Sequence, residues 1–143
     1  MTLDDNGLEV LDTPTCRSLL AASHLGRVAL SRRALPIIVP VVYTLVGEQI
    51  LIPAASSLVR KAAQSDDVVC FEADAQDADG TTWSVLVTGR LSVVGPTAQR
   101  GQNGQRDNGE VVGLRTSMIS GRRTTTALGG LNSAIARHEA RQS

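Results

Sequence analysis

The pattern of apolar and polar positions predicts a chain built mainly from short β-strands. The clearest alternation runs over residues 82–94, where one face is apolar and the other polar, as in a long half-buried strand. A shorter alternating segment covers residues 27–31, after a break at Gly26. Further strands are predicted at residues 49–52, 68–73, 110–117 and 121–126.

The apolar run at residues 35–46 has a different pattern, because almost every position is apolar and many are β-branched. This favours a strand that is covered on both faces. Pro36 and Pro40 have no N–H to donate to a neighbouring strand. We therefore expect this strand to be irregular, to lie at a sheet edge, or to be bulged near the prolines.

Two short helices are predicted between the strands. Asp12 is a candidate N-cap with Pro14 just inside the first turn, which indicates a helix over residues 14–23. A second helix is predicted at residues 56–65. Residues 95–109 are rich in Gly, Gln, Asn and Arg and are expected to form a loop.

This arrangement predicts one domain of the mainly β class. A chain of 143 residues can bury one core, and short strands joined by tight connections favour a closed or nearly closed antiparallel barrel. Regular alternation of strand and helix is absent, which disfavours a doubly wound nucleotide-binding fold. We expect the barrel domain to cover residues 1–126. Residues 127–143 are expected to be a polar, disordered tail with a frayed helix near residues 133–141.

Composition and charge narrow the range of partners. Lys and Arg together number 14, as do Asp and Glu, so the chain lacks the net positive charge that binding to nucleic acid requires. Cys16 and Cys70 are far apart, and His24 and His138 have no metal-ligand spacing, so no metal site is expected. The N-terminus has no secretory pattern and the run at 35–46 is too short to span a bilayer. These features indicate a cytoplasmic protein without a membrane partner.

Five segments resemble, in order and spacing, the short actinobacterial members of the pyridoxamine 5′-phosphate oxidase-like family. They are LGRVALS at 25–31, LPIIVPVVY at 35–43, CFEAD at 70–74, TWSVLVTGR at 82–90 and ISGRR at 119–123. The resemblance covers roughly residues 11–126. It implies a split antiparallel β-barrel with two short helices, a homodimer, and FMN or a deazaflavin in a groove between the subunits.

The resemblance also implies which residues contact the cofactor, although it implies no catalytic residue. The first strand would line the flavin and the second would contact its ring. Pro53 and Ala54 stand where the family usually has a threonine near the cofactor, and Trp83 would come from the strand beside the groove. The implied cofactor-binding residues are Arg27, Ala29, Pro40, Val41, Tyr43, Pro53, Ser57, Arg60, Lys61 and Trp83. Three of these have an ordinary structural alternative: Arg27 as a solvated edge charge, and Trp83 or Tyr43 as packing residues.

The chain departs from the family at the site for the flavin phosphate. Where the family has a Gly-Ser-Lys or Ser-Arg-Lys triplet, this sequence has Ser57-Leu58-Val59, and Arg60 and Lys61 come one turn later. Two cations in the first turn of a helix oppose its dipole unless an anion lies there. The sequence therefore leaves open whether the phosphate site is shifted or lost.

Two functions follow from these observations. The first is an FMN-dependent oxidoreductase acting on a small redox substrate, in which the protein supplies binding and orientation and the cofactor supplies the redox chemistry. The alternative is a degenerate barrel that binds no flavin, or no cofactor, and serves as a dimeric binding or interaction module. The missing triplet, the shortened loop before Glu110 and the small number of aromatic residues favour the alternative. The first function remains the main prediction, because the strand segments of the resemblance are present and Arg60 and Lys61 can compensate for the triplet.

Overall fold

The computed structural model describes residues 1–53, 55–96, 110–125, 137–138 and 140–141. In these residues the predicted strand segments become nine strands, because one segment divides in two and a strand is added near the N-terminus. In chain order the elements are β1 Glu9–Leu11, α1 Thr13–Ala21, β2 Leu25–Arg32, β3 Leu35–Val42, β4 Thr44–Val46, β5 Gln49–Ile52, α2 Ser57–Gln64, β6 Val68–Gln76, β7 Thr82–Pro96, β8 Glu110–Arg115 and β9 Met118–Arg123.

The strands are antiparallel and run in the order β3-β2-β6-β7-β8-β5-β4, with β9 paired to both β7 and β1. The long strand β7 belongs to both parts of this sheet. Residues Thr82 to Arg90 pair with β6, whereas Leu91 to Pro96 pair with β8. The prediction of a mainly β barrel with two short helices is confirmed.

The helix α1 begins where the sequence predicts. The Asp12 carboxylate accepts a hydrogen bond from the Thr15 N–H at 2.8 Å, and a proline occupies the first turn. The preceding strand β1 pairs with β9 and was not predicted, since three residues are too few to show alternation. The N-terminal segment is held to β9 further by an ion pair between Asp4 and Arg122 at 2.9 Å.

The prediction of one strand covered on both faces at residues 35–46 is wrong. The segment divides at Tyr43 into β3 and β4, and Tyr43 donates its N–H to the carbonyl of His24. One face of β3 is exposed, with Ile38 and Val42 both more than half accessible. The strand does lie at a sheet edge, because Pro36 and Pro40 leave it without two donors.

The core fills the space between the two parts of the sheet and α2. Its largest fully buried side chains come from the alternate positions of the strands and from both helices: Tyr43, Phe71, Leu20, Ile50, Ile52, Leu91, Leu114, Val28, Val59, Val85, Val87 and Val112. Most of the loop predicted at residues 95–109 and most of the tail predicted at 127–143 lie outside the described residues. Residues 95 and 96 belong to β7, and the described residues 137–138 and 140–141 are helical.

Candidate functional site

One face of the sheet formed by β3, β2, β6, β7 and β9 points away from the core, and we call it the outer face. Its exposed apolar residues include Leu25, Ala29, Ile38, Pro40, Val42, Val68, Leu86 and Met118. Three residues that the resemblance implies lie together here, since Arg27 is opposite Pro40 and Ala29 is opposite Ile38 in the strand register. The structure thus brings Arg27, Ala29 and Pro40 onto one surface.

Arg27 forms ion pairs with two carboxylates of the outer face. Its guanidinium lies 2.6 Å from Glu72 and 3.5 Å from Asp74. Burial and the neighbouring Asp74 raise the pKa of Glu72, although Arg27 acts in the opposite direction. The Ser84 hydroxyl donates a further hydrogen bond to Glu72 at 3.3 Å. Arg27 therefore does not offer an uncompensated charge to an anionic ligand.

Val41, Tyr43 and Trp83 lie on the opposite side of the sheet, in the core. The Tyr43 hydroxyl donates a 2.7 Å hydrogen bond to the carbonyl of Leu20, and its ring meets that of Phe71 edge to face at 4.9 Å. Burial raises the pKa of Tyr43 to about 12. These three side chains are therefore not on the same surface as Arg27, Ala29 and Pro40.

The helix α2 places its two cations differently from the sequence-based expectation. Ser56 is the N-cap and accepts a hydrogen bond from the Val59 N–H at 3.4 Å, and Ser57 is the exposed first residue. The helix has only eight residues, so Lys61 falls in its last turn, where a cation is favourable. The expectation that Arg60 and Lys61 both oppose the dipole in the first turn is wrong.

The remaining implied residues, Pro53, Arg60 and Lys61, lie in different environments. Arg60 is half-buried, and its Nε has no hydrogen-bond partner among the described residues. Pro53 is half-buried at the end of β5. Lys61 is exposed and lines a pocket, whereas Arg60 is not part of that lining.

This pocket lies between α2 and the end of β2 and has a volume of about 370 Å³. Its apolar lining comes from Leu30, Leu58 and Ala62, and its polar lining consists of Ser31, Arg32, Arg33, Lys61, Gln64, Ser65 and Asp67. We call it the basic pocket, because three cations face one carboxylate. Arg32 and Arg33 lie between the predicted strands at residues 27–31 and 35–46, and sequence reasoning missed them as lining residues.

The turn that carries these arginines has an unusual backbone. Arg33 and Ala34 have φ values of 50° and 63°, in the left-handed region, and they connect the paired residues Arg32 and Leu35. A two-residue hairpin turn of this kind usually has Asn-Gly or another glycine-containing pair. The absence of Gly and Asn between two predicted strands was the signal in the sequence that could have drawn attention to this turn.

The described part of the chain has neither a metal-binding cluster nor a membrane-spanning helix. No group of three or more His, Cys, Asp or Glu residues in the described ranges is placed to hold a metal ion. Within the same residues, no helix has the length and apolarity needed to cross a membrane.

The antiparallel sheet with its shared strand β7 and two short helices defines a split β-barrel. A family model described as pyridoxamine 5′-phosphate oxidase matches residues 12–123 of the 143 residues. The chain belongs to this family.

The comparisons also include a relative and several solved structures. The chain is 39% identical over 95 residues to the uncharacterized protein Rv0080 of Mycobacterium tuberculosis, and the match covers 62% of each protein. It is similar to an FAD binding protein from Mycobacterium smegmatis, with 26% identity, a TM-score of 0.64, and 82% of this chain and 98% of that chain covered. An FAD-binding protein from Mesorhizobium loti matches with 18% identity, a TM-score of 0.67, and coverage of 82% and 99%. The second likeness shows the fold alone.

Proposed function

We propose that this chain is a flavin-binding oxidoreductase that acts on a small redox substrate as a homodimer. The observation that carries the proposal is the family match over residues 12–123. It is supported by the likeness to an FAD binding protein of M. smegmatis that is matched over 98% of its length. The curated relative is spanned over only 62% of its length, so its activity adds no argument.

The residues present fit the two chemical parts of a flavin nucleotide. The outer face offers small apolar side chains, Ala29 and Pro40, against which a planar ring system can pack. The basic pocket offers Lys61 and the Ser31 hydroxyl as partners for a phosphate. We expect Ser57, exposed at the start of α2, to add a further hydroxyl donor.

In this proposal the protein binds and orients, while the flavin, when bound, supplies electron transfer to and from the substrate. The sheet holds the ring contacts on rigid strands. Lys61 neutralises the phosphate from the last turn of α2. No side chain of the described residues is assigned as an acid or base.

The proposed homodimer follows from the apolar character of the outer face. Ile38, Val42 and Met118 are each exposed by more than 60% on this one surface. Several exposed apolar side chains on one face of a sheet indicate an interaction site. A second copy of the chain covering this face would also form the groove in which the family holds its cofactor.

The alternative, a barrel that binds no flavin, is favoured by one observation. Arg27, which the resemblance places beside the cofactor, is compensated by Glu72 and Asp74. The same dimer would then act as a binding or interaction module. The cofactor measurement below separates the two.

The test is the visible absorption spectrum of the purified protein, followed by titration with FMN, FAD, a deazaflavin and riboflavin. We expect a yellow protein or saturable binding of at least one of these flavins. Replacing Lys61 by Ala should weaken binding of the flavin nucleotides about tenfold or more, since one charged hydrogen bond contributes about 1.5–3 kcal/mol. Riboflavin, which has no phosphate, should be affected much less.

Arg60→Ala is the matched control, because Arg60 is the neighbouring cation and does not line the basic pocket. Its flavin affinity should stay near that of the unmodified protein. If neither the purified protein nor any titration shows flavin binding, the oxidoreductase proposal is wrong and the alternative holds. If Arg60→Ala weakens binding and Lys61→Ala does not, the phosphate lies elsewhere on α2.

A further inference from the structure

The turn between β2 and β3 holds two residues in a conformation that their side chains disfavour. Arg33 has φ 50° and Ala34 has φ 63°. Residues with a Cβ reach this region only at a cost in stability, which Gly avoids and Asn reduces. A turn selected for stability alone would carry Asn-Gly here. Arg33 and Ala34 therefore lower the stability of this turn, and we attribute their presence to a function that Asn-Gly would not provide.

The turn places two arginines at the basic pocket, opposite Lys61 on α2. Four of the other described arginines have carboxylate partners: Arg17 with Glu48, Arg27 with Glu72, Arg122 with Asp4 and Arg123 with Asp77. The remaining described arginines form no ion pair with a described carboxylate. Among the described residues, no ion pair within 4.0 Å includes Arg32, Arg33 or Lys61. Three cations thus share one cavity in which Asp67 is the only carboxylate lining residue described.

The charge and volume of this pocket match a phosphate ligand. The lining carries a net charge of about +2 at neutral pH, and a phosphate monoester carries about −1.5 to −2. Guanidinium groups bind phosphate oxygens through paired hydrogen bonds, and Ser31 and Gln64 add neutral donors. A volume of about 370 Å³ exceeds what one phosphate needs and leaves room for an attached group.

We propose that the strained β2–β3 turn is an anion-binding device, in which Arg32 and Arg33 act with Lys61 to bind the phosphate group of a nucleotide. In this chain the turn supplies the cations that bind the phosphate, because the first three residues of α2 include no cation. That the nucleotide is a flavin rests on the proposed function. The affinity of the pocket for phosphate does not.

The test replaces the turn by the pair that its backbone prefers. In Arg33→Asn combined with Ala34→Gly, the strain is relieved, so we expect Tm to rise by several degrees. The same variant should bind inorganic pyrophosphate about tenfold or more weakly by calorimetry. Higher stability together with weaker binding is the combined result that a purely structural turn would not give.

Two controls separate strain from charge. Ala34→Gly alone should raise Tm and leave pyrophosphate binding unchanged, since both arginines remain. Arg115→Gln removes one exposed positive charge on β8, away from the pocket lining, and should change neither quantity appreciably. The inference is overturned if the double variant binds pyrophosphate like the unmodified protein. It is also overturned if its Tm falls, or if the unmodified protein binds no pyrophosphate.

Flavin titrations keep this inference distinct from the proposed function. FMN and FAD should lose affinity in the double variant while riboflavin does not. A protein that binds pyrophosphate at the turn but binds no flavin supports this inference and overturns the proposed function. A protein that binds riboflavin and FMN equally well but does not bind pyrophosphate supports the proposed function and overturns this inference.

Discussion

Which way a single side chain points decides whether it belongs to the core or to the candidate site. Arg27 and Val28 are neighbours, yet one lies on the outer face and the other is fully buried. In β3 both faces are apolar in sequence, so the pattern gave no means of telling them apart. The register resolved this, with Pro40 outside and Val41 inside. The resemblance named both residues because it follows position along the chain and does not separate the two faces.

Replacing Tyr43 by Phe tests the placement of this ring in the core. The variant keeps the packing against Phe71 and loses the hydrogen bond to the Leu20 carbonyl. We expect the free energy of unfolding to fall by about 1 kcal/mol, as for a typical buried hydrogen bond, with flavin affinity unchanged. Urea unfolding followed by circular dichroism measures the first quantity. A loss of flavin affinity at unchanged stability would instead place Tyr43 at the cofactor.

At the scale of elements, the helices were predicted closely but the charges on α2 were not. The cap signal at Asp12 and the predicted range of residues 56–65 place the start of each helix within one or two residues of the observed start. In a helix of two turns, however, a residue near the start is also near the end. Lys61 is the fifth residue of α2 and already lies in its last turn. The sequence could not show this without the point at which the helix ends.

The cap of α1 predicts a pH-dependent contribution to stability. Hydrogen bonds from Thr15, side chain and backbone, lower the pKa of Asp12 from its ordinary value of 3.8. A carboxylate with a lowered folded-state pKa stabilises the fold above its unfolded value and loses this effect as the pH falls through the folded value. We expect Asp12→Ala to lower Tm at pH 7 and to differ little from the unmodified protein near pH 2.

The matched control is Asp12→Asn, which can still cap the helix but does not titrate. Its Tm difference from the unmodified protein should be smaller than that of Asp12→Ala at pH 7. If the deficit of Asp12→Ala is the same at both pH values, the carboxylate charge has no part in the cap.

For the molecule as a whole, the fold class could be predicted from strand order and turn signals, whereas the pairing could not. Alternation reports which segments are strands but not which strands are neighbours. The pairing of β1 with β9 joins residues more than 100 positions apart, such as Leu11 and Gly121. The basic pocket likewise depends on the approach of β2 to α2. Both features arise from long-range closure of the barrel, for which local sequence carries no signal.

The proposed dimer is tested by a charge on the outer face. Ile38 is 67% exposed and lies opposite Ala29 at the sheet edge. Replacing it by Arg should weaken self-association about 100-fold, measured by analytical ultracentrifugation, because an unpaired charge would be buried between subunits. Val46→Arg is the control, since Val46 is similarly exposed, at 56%, but lies on β4 away from the outer face.

The same pair of variants also tests whether flavin binding requires the dimer. If the cofactor groove requires two copies, Ile38→Arg should also reduce flavin affinity at protein concentrations where it is monomeric. Val46→Arg should retain both association and flavin binding. An unmodified protein that sediments as a monomer at micromolar concentration would contradict the dimer and the groove together.

The long strand β7 has a consequence for how the protein unfolds. Its first part pairs with β6 and β9, and its second part pairs with β8, so one continuous backbone belongs to both parts of the sheet. Neither part can lose β7 without removing the central partner of the other. Opening of the described strands should therefore be a single cooperative event, with the slowest amide hydrogen exchange at equal rates on both sides of Arg90.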